Sequence, residues 1–175
     1  TPDDVMAGHL PDGPTVIFDD DSFYMGGVIA EQVRRANVPV SLVTPENVVS
    51  AWCEYTSEQY QVQKHLLELG VEITTAHSLL AYDGREVTIC CTHTGRQQSI
   101  EANALIMVTA RTHRDELYQS LKQRMESEAQ TPFRSLRRIG DCEAPAIIAA
   151  AVYAGHRYAR ELDTEPDPDV PLRLE

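Results

Sequence analysis

The chain lacks the apolar run of about eighteen residues that a membrane-spanning helix needs, so none is expected. It has no Cys-x-x-Cys pair. Its four cysteines, Cys53, Cys90, Cys91 and Cys142, stand at no metal-ligand spacing to a histidine. No metal site is expected. Free, mostly buried thiols in a reducing compartment are, and the expected location is cytoplasmic. The chain is also poor in cations: 15 Lys and Arg against 27 Asp and Glu, a net charge of −12. Such a surface repels phosphate backbones and anionic lipid, so neither nucleic acid nor membrane is an expected partner. The six histidines do not cluster, and no nucleophile has a base at motif spacing. No catalytic residue is therefore assigned. The acidic start, Thr-Pro-Asp-Asp, carries no leader signature and no initiator Met. With the linker-like stretch 1–13 it suggests a piece of a longer protein.

What is present is globular: 175 residues, 42% hydrophobic and 24% charged. Segment 14–19 is a short β-branched and aromatic run, which predicts a buried parallel strand. Ser22 is placed to cap the amphipathic helix predicted over 23–36. Segment 38–44 is a second strand, stopped by Pro45, and the three form a βαβ unit. A helix follows over 56–69, with Tyr60, Leu66, Leu67 and Leu69 as its expected buried positions and Gly70 as its stop. Segment 71–75 is a third strand. The period then changes to short alternating runs, 78–82, 86–92 and 97–101. Asp83-Gly84 and Thr94-Gly95 separate them, which signals an antiparallel meander. A continuous apolar strand returns at 104–109. A charged helix is predicted over 113–129, a short strand over 136–140, a long helix over 143–162, and an extended Pro-Asp-rich tail beyond it. The order predicts an α/β fold: a Rossmann-like three-layer domain with a parallel sheet and an inserted antiparallel β-meander.

In a dinucleotide fold the first strand runs into a glycine-rich turn, whose backbone approaches the pyrophosphate at a helix N-terminus. Here that turn carries Asp19, Asp20 and Asp21, and Gly26 and Gly27 come only at the helix start. Unit charges about 4 Å apart repel by about 1 kcal/mol in water and about 4 kcal/mol near a protein surface. A micromolar complex holds only about −8 kcal/mol in total. The aspartates would thus oppose a pyrophosphate while stabilising the helix N-terminus by roughly 0.3–1 kcal/mol each. Phe23 and Tyr24 are expected to fill space a cofactor would need, and the glycines to permit close helix–strand packing. After the second strand, Glu46 alone could meet a ribose. A metal site on the three aspartates is the rival reading, set aside because adjacent carboxylates rarely converge on one ion.

Gly140-Asp141, between a predicted strand and a predicted helix, fits the second phosphate-side signature of flavin reductases, or else a simple helix cap. On the following helix, Ile147, Ala151, Gly155, Tyr158 and Leu162 form one stripe, and Gly155 suggests a close packing contact. Arg137 and Arg138 could pair with acids of a neighbouring domain, and Arg111 could serve as an interdomain contact.

Four segments together resemble a known family: 19–31, 108–113, 139–145 and 154–161. They are similar to the C-terminal region of the trimethylamine dehydrogenase family. Histamine dehydrogenase and demethylases of N-methylated amino acids are its relatives, within the NADH:flavin oxidoreductases. The resemblance implies a parent enzyme, a homo-oligomer, with an FMN-bearing barrel and a four-iron cluster outside this chain. It implies ADP or FAD at a flavin-type domain, to which Gly140 and Asp141 would contribute half a site. It divides the chain into a degenerate NAD(P)-binding-like domain over 1–130, a returning segment of the FAD/ADP-binding-like domain over 131–165, and a tail over 166–175. No cofactor is expected in the chain itself, and its partners would be the parent's remaining domains. Ala110 stands where a glycine is common. Two alternatives stay open: a working NAD(P)H- or FAD/ADP-binding domain, and a stand-alone binding module.

Overall fold

The computed structural model describes residues 1–127 and 135–162. The chain divides into two compact units, Thr1–Ala110 and the part from Arg111 on. The expected boundary at 130/131 and the tail over 166–175 lie outside the described residues.

In the first unit, four segments form parallel strands: β1 (Thr15–Asp19), β2 (Val40–Val43), β3 (Glu72–Thr74) and, far along the chain, β7 (Ala104–Val108). Their order is β3-β2-β1-β7, with Thr15 opposite both Val40 and Ala104. The central strand β1 is buried along its whole length, as a strand covered on both faces must be. Alternation sorts its side chains. Ile17 faces a core built with Ile29, Val33, Leu42 and Leu66, beneath the helices α2 (Met25–Arg35) and α3 (Gln59–Glu68). Val16 and Phe18 face the other way, against Val87, Ile89 and Ala102. Those come from the antiparallel meander β4 (His77–Tyr82), β5 (Glu86–Cys91) and β6 (Gln97–Glu101), and from the residue after it. Helices, parallel sheet and meander are the three layers.

Several local expectations need correction. The stretch read as a linker begins with a short helix, α1 (Pro2–Met6). Thr1 and Asp4 form its capping box and Val5 enters the core. The helix expected over 56–69 is α3, which begins only at Gln59, and a 3-10 turn, Ala51–Thr56, precedes it. Ser50 and Ser57, both left-handed at φ 53° and 61°, bracket the 3-10 turn and break the continuity. On α3 only Leu66 is fully buried, with Val62 and the C-cap residue Leu69 partly buried against the same core at helical spacing. Tyr60 and Leu67, expected inside, project into solvent. Of the four thiols, only Cys53 is fully buried.

In the second unit, α4 (Glu116–Ser127) has no buried residue, and α5 (Ile148–Glu161) follows a 3-10 turn, Gly140–Cys142. No strand forms over 136–140, although Ile139 is extended (φ −145°, ψ 157°). A strand is defined by a paired neighbour, and among the described residues none is offered. Pro145 disfavours helical backbone at Ala144, and α5 starts at Ile148, not at 143. Arg137 and Arg138 find their acids inside this unit. Arg138 Nη1 donates to Asp115 Oδ2 at 2.7 Å and its guanidinium lies over Tyr118. Arg137 pairs with Glu161 at 4.0 Å and lies over Tyr158.

Candidate functional site

The turn after β1 is where a dinucleotide fold presents backbone N–H groups to a pyrophosphate. Here those groups are already used. The N–H groups of Asp20 and Asp21 both donate to the carbonyl oxygen of Val108, at 2.8 and 3.2 Å. Ser22 N–H donates to Asp19 Oδ1 at 3.0 Å. The parallel pairing of β1 with β7 sets this up, because it places Asp19 opposite Val108 and the turn directly above that carbonyl. Ser22 does not cap the helix. It takes a left-handed conformation, φ 59°, and the N-cap is Tyr24, whose side chain makes no cap bond.

The three aspartates are not equivalent. Asp20 is exposed and Asp21 half-buried. Asp19 shares the helix-facing side of β1 with Ile17 and is fully buried. Among the described residues its Oδ2 has no hydrogen-bond partner. Burial pushes its carboxyl up to about 6; the Ser22 N–H opposes the rise and the Asp21 charge adds to it. A carboxylate stabilised by a helix N-terminus would shift the other way. At Asp19, then, desolvation outweighs the expected favourable dipole.

Gly26 and Gly27 do separate work. A Cβ on Gly26 would fall on the Asp19 side chain, with 2.8 Å left to Asp19 Cβ and less to its carboxyl. That is a helix–strand approach, as expected. Gly27 instead faces α3: a Cβ there would lie 3.1 Å from Val62 Cγ1.

The sequence reading missed what covers the turn. Trp52 N–H donates to the carbonyl oxygen of Ser22 at 3.1 Å, fastening the 3-10 turn after β2 onto the turn after β1. Phe23 stacks on Trp52, with centroids 5.9 Å apart, and Trp52 on Tyr55 at 5.6 Å. In a 3-10 turn residues i and i+3 eclipse, which brings Trp52 over Tyr55. Tyr24 Oη donates to Glu58 Oε2 and lies 3.1 Å from Thr56 Oγ1. Phe23 and Tyr24 thus engage the 44–58 loop. A usable signal was the lone Trp beside a Tyr at i+3, between a strand and a helix. Glu46 is exposed on the same loop, and its N–H lies 3.3 Å from Thr44 Oγ1.

In the second unit, Gly140 is left-handed, φ 59°, and α5 comes close to it: a Cβ there would stand 3.5 Å from Ala151 Cβ. The left-handed backbone favours glycine here, while the 3.5 Å contact alone would admit a Cβ. Asp141 is exposed and accepts from Ala146 N–H at 3.4 Å, so it caps the approach to α5 and not its first turn. Among the described residues nothing packs within 4 Å of a Cβ at Gly155, where a close contact was expected. Among the described residues no group of three His, Cys, Asp or Glu is placed to hold a metal, and no helix is long and apolar enough to cross a membrane.

No protein-family model matches the chain. Dimethylamine dehydrogenase of Hyphomicrobium sp. (strain x) is 30% identical over 100% of the chain and 26% of its own length. The solved structure of histamine dehydrogenase from Rhizobium sp. 4-9 matches with a TM-score of 0.87. It shows 42% identity over 99% of this chain and 28% of its own. The 6-hydroxypseudooxynicotine amine oxidase of Pseudomonas geniculata N1 matches with a TM-score of 0.81 and 32% identity, over 93% of this chain and 24% of its own. The chain thus spans about a quarter of the length of these relatives.

Proposed function

We propose, for a chain that matches the trimethylamine dehydrogenase-like family over about a quarter of its members' length, the role of a nucleotide-binding-like domain in a flavin-dependent amine dehydrogenase or demethylase. The domain serves structure and does not itself bind NAD(P). One observation carries this reading: the N–H groups of Asp20, Asp21 and Ser22 are all bonded internally, to Val108 and Asp19. A pyrophosphate would have to break those bonds and lie beside three carboxyl groups. Breaking one leaves a donor or acceptor to be satisfied again, at about 1–3 kcal/mol if buried.

In this reading the parent, a homo-oligomer, carries FMN and a four-iron cluster outside the chain, where the redox chemistry takes place. Gly140 and Asp141 lie on the ADP or FAD side. The exposed Asp141 carboxylate would accept a hydrogen bond from a sugar hydroxyl once the parent's own glycine-rich turn completes that site. The partners of the chain are the parent's remaining domains.

The test is a calorimetric titration of the chain with NADH and NADPH. No heat of binding is expected at sub-millimolar concentration. Micromolar affinity for either would overturn the reading. A parent reading frame without an upstream flavin barrel would overturn the family assignment independently.

A further inference from the structure

From Asn37 to Gln63 the chain contains no Lys or Arg, but it contains Glu46, Glu54 and Glu58. The 3-10 turn Ala51–Thr56 lies inside that cation-free stretch. Its rings form a ladder that begins in the turn after β1 and ends in solvent. Phe23 is half-buried, Trp52 is 49% exposed and Tyr55 is 84% exposed. Neighbouring planes are nearly parallel, at 16° and 23°. The outer ring is bare. Glu54 and Glu58 are exposed beside it in sequence, and Glu58 is held below the ordinary carboxylate range by the Tyr24 and Thr56 hydroxyls.

Aromatic faces are electronegative and attract cations, and a guanidinium plane stacks on them while its edge pairs with a carboxylate. An ammonium group does the second but not the first as well. Anionic ligands are repelled by the same glutamates. We propose that the Phe23–Trp52–Tyr55 ladder, with Glu54 and Glu58, is a docking face for an arginine-bearing segment of the parent polypeptide outside this chain. The choice of occupant rests on charge complementarity and on the reading that this chain is part of a longer polypeptide. A tethered segment acts at an effective concentration in the millimolar range, so a weak stacking contact is enough to hold it.

Trp52 is the single tryptophan of the chain, and its emission reports on the ladder directly. The 175-residue chain is titrated with tri-arginine amide and, separately, with tri-lysine amide. The expected result is a saturable change in Trp52 emission with tri-arginine, weakened by added salt and about threefold or more weaker with tri-lysine. It is lost in Tyr55→Ala and in Glu54→Gln/Glu58→Gln. No saturable change, or an equal response to both peptides, overturns the proposal. The source is tested in the parent by hydroxyl-radical footprinting of Trp52 and Tyr55. Protection relative to the isolated chain supports it. Equal labelling overturns it and would assign the arginine to a separate protein. Failure of the parent reading itself would show in the upstream reading frame, not in either of these measurements.

Discussion

Gly26 rests on the side chain of Asp19: a Cβ at position 26 would come within 2.8 Å of Asp19 Cβ and closer to its carboxyl. The two positions are therefore coupled, and the coupling is measurable. Gly26→Ala should cost about 1–3 kcal/mol, the range for overpacking a close contact. In an Asp19→Gly background the same substitution should cost little, because its obstacle is gone and alanine favours the helix. A urea double-mutant cycle should return a coupling energy of at least about 1 kcal/mol. Additive effects would mean that α2 does not rest on this carboxyl.

Asp19 also predicts a pH dependence. Its carboxyl is raised from 3.8 to about 6 in the fold. The folded state therefore holds a proton that the unfolded chain gives up. Its stabilising contribution is fully present below pH 4 and is lost as the pH rises through 6. Each pKa unit is worth 1.36 kcal/mol, so the swing is about 3 kcal/mol. Asp19→Asn keeps an oxygen for the Ser22 N–H and carries no charge. Relative to the parent sequence it should gain stability from pH 4 to pH 7, read as a growing difference in urea midpoints. A constant difference would contradict the buried carboxyl.

Tyr24→Phe should release Glu58. The Tyr24 hydroxyl is the larger of the two contacts that hold the Glu58 carboxyl low. Without it, the carboxyl should titrate closer to the ordinary glutamate value, with Thr56 keeping part of the shift. Carbon-detected NMR of the Glu58 carboxyl across pH 3–6 checks this, and an unchanged midpoint would remove Tyr24 from the account of the ladder's charge.

The parallel sheet and the meander could be read in advance because each rests on a local signal. Segment 14–19 is a β-branched and aromatic run, 38–44 a Val-rich one stopped by Pro45, and 104–109 a continuous apolar one, and these become β1, β2 and β7. Gly84 and Gly95, at φ 96° and 71°, turn the two hairpins where the dipeptides indicated. The Thr1/Asp4 capping box is an equally local signal, and it caps α1. What could not be read depends on partners distant in sequence. The carbonyl of Val108 decides that the turn N–H groups are occupied. Ile139 is extended backbone with no paired strand among the described residues. Tyr60 and Leu67 are as apolar as Val62 and Leu66, and only the direction from which the sheet covers α3 separates them. At the candidate site, Asp19, Gly26 and Gly27 lie together where β1 meets α2 and α3. The three aspartates do not act together at the helix N-terminus: Asp19 is a buried acid under a glycine, Asp20 is exposed and Asp21 half-buried.

Helix α5 separates the chain alone from the chain in its parent. It leaves Ile147, Ile148, Val152 and Leu162 48–83% exposed, with Ile148 the most exposed. Ile148 and Val152 are one helical turn apart, so their side chains share a face. Ile148→Lys should leave the stability of the isolated chain within about 0.5 kcal/mol, since a surface substitution breaks no buried contact. It should also reduce self-association, because an exposed apolar face invites it. In the parent, a remaining domain packed on this face would leave the same substitution with a buried, unpaired ammonium group. The expected result there is a clear fall in melting temperature, measured on the intact protein. Leu66→Ala is the control: Leu66 is only 1% exposed inside the first unit, so truncation should cost about 2–5 kcal/mol in either context. Equal, small effects of Ile148→Lys in both contexts would mean that α5 faces solvent in the parent as well, and that the remaining domains meet this chain elsewhere.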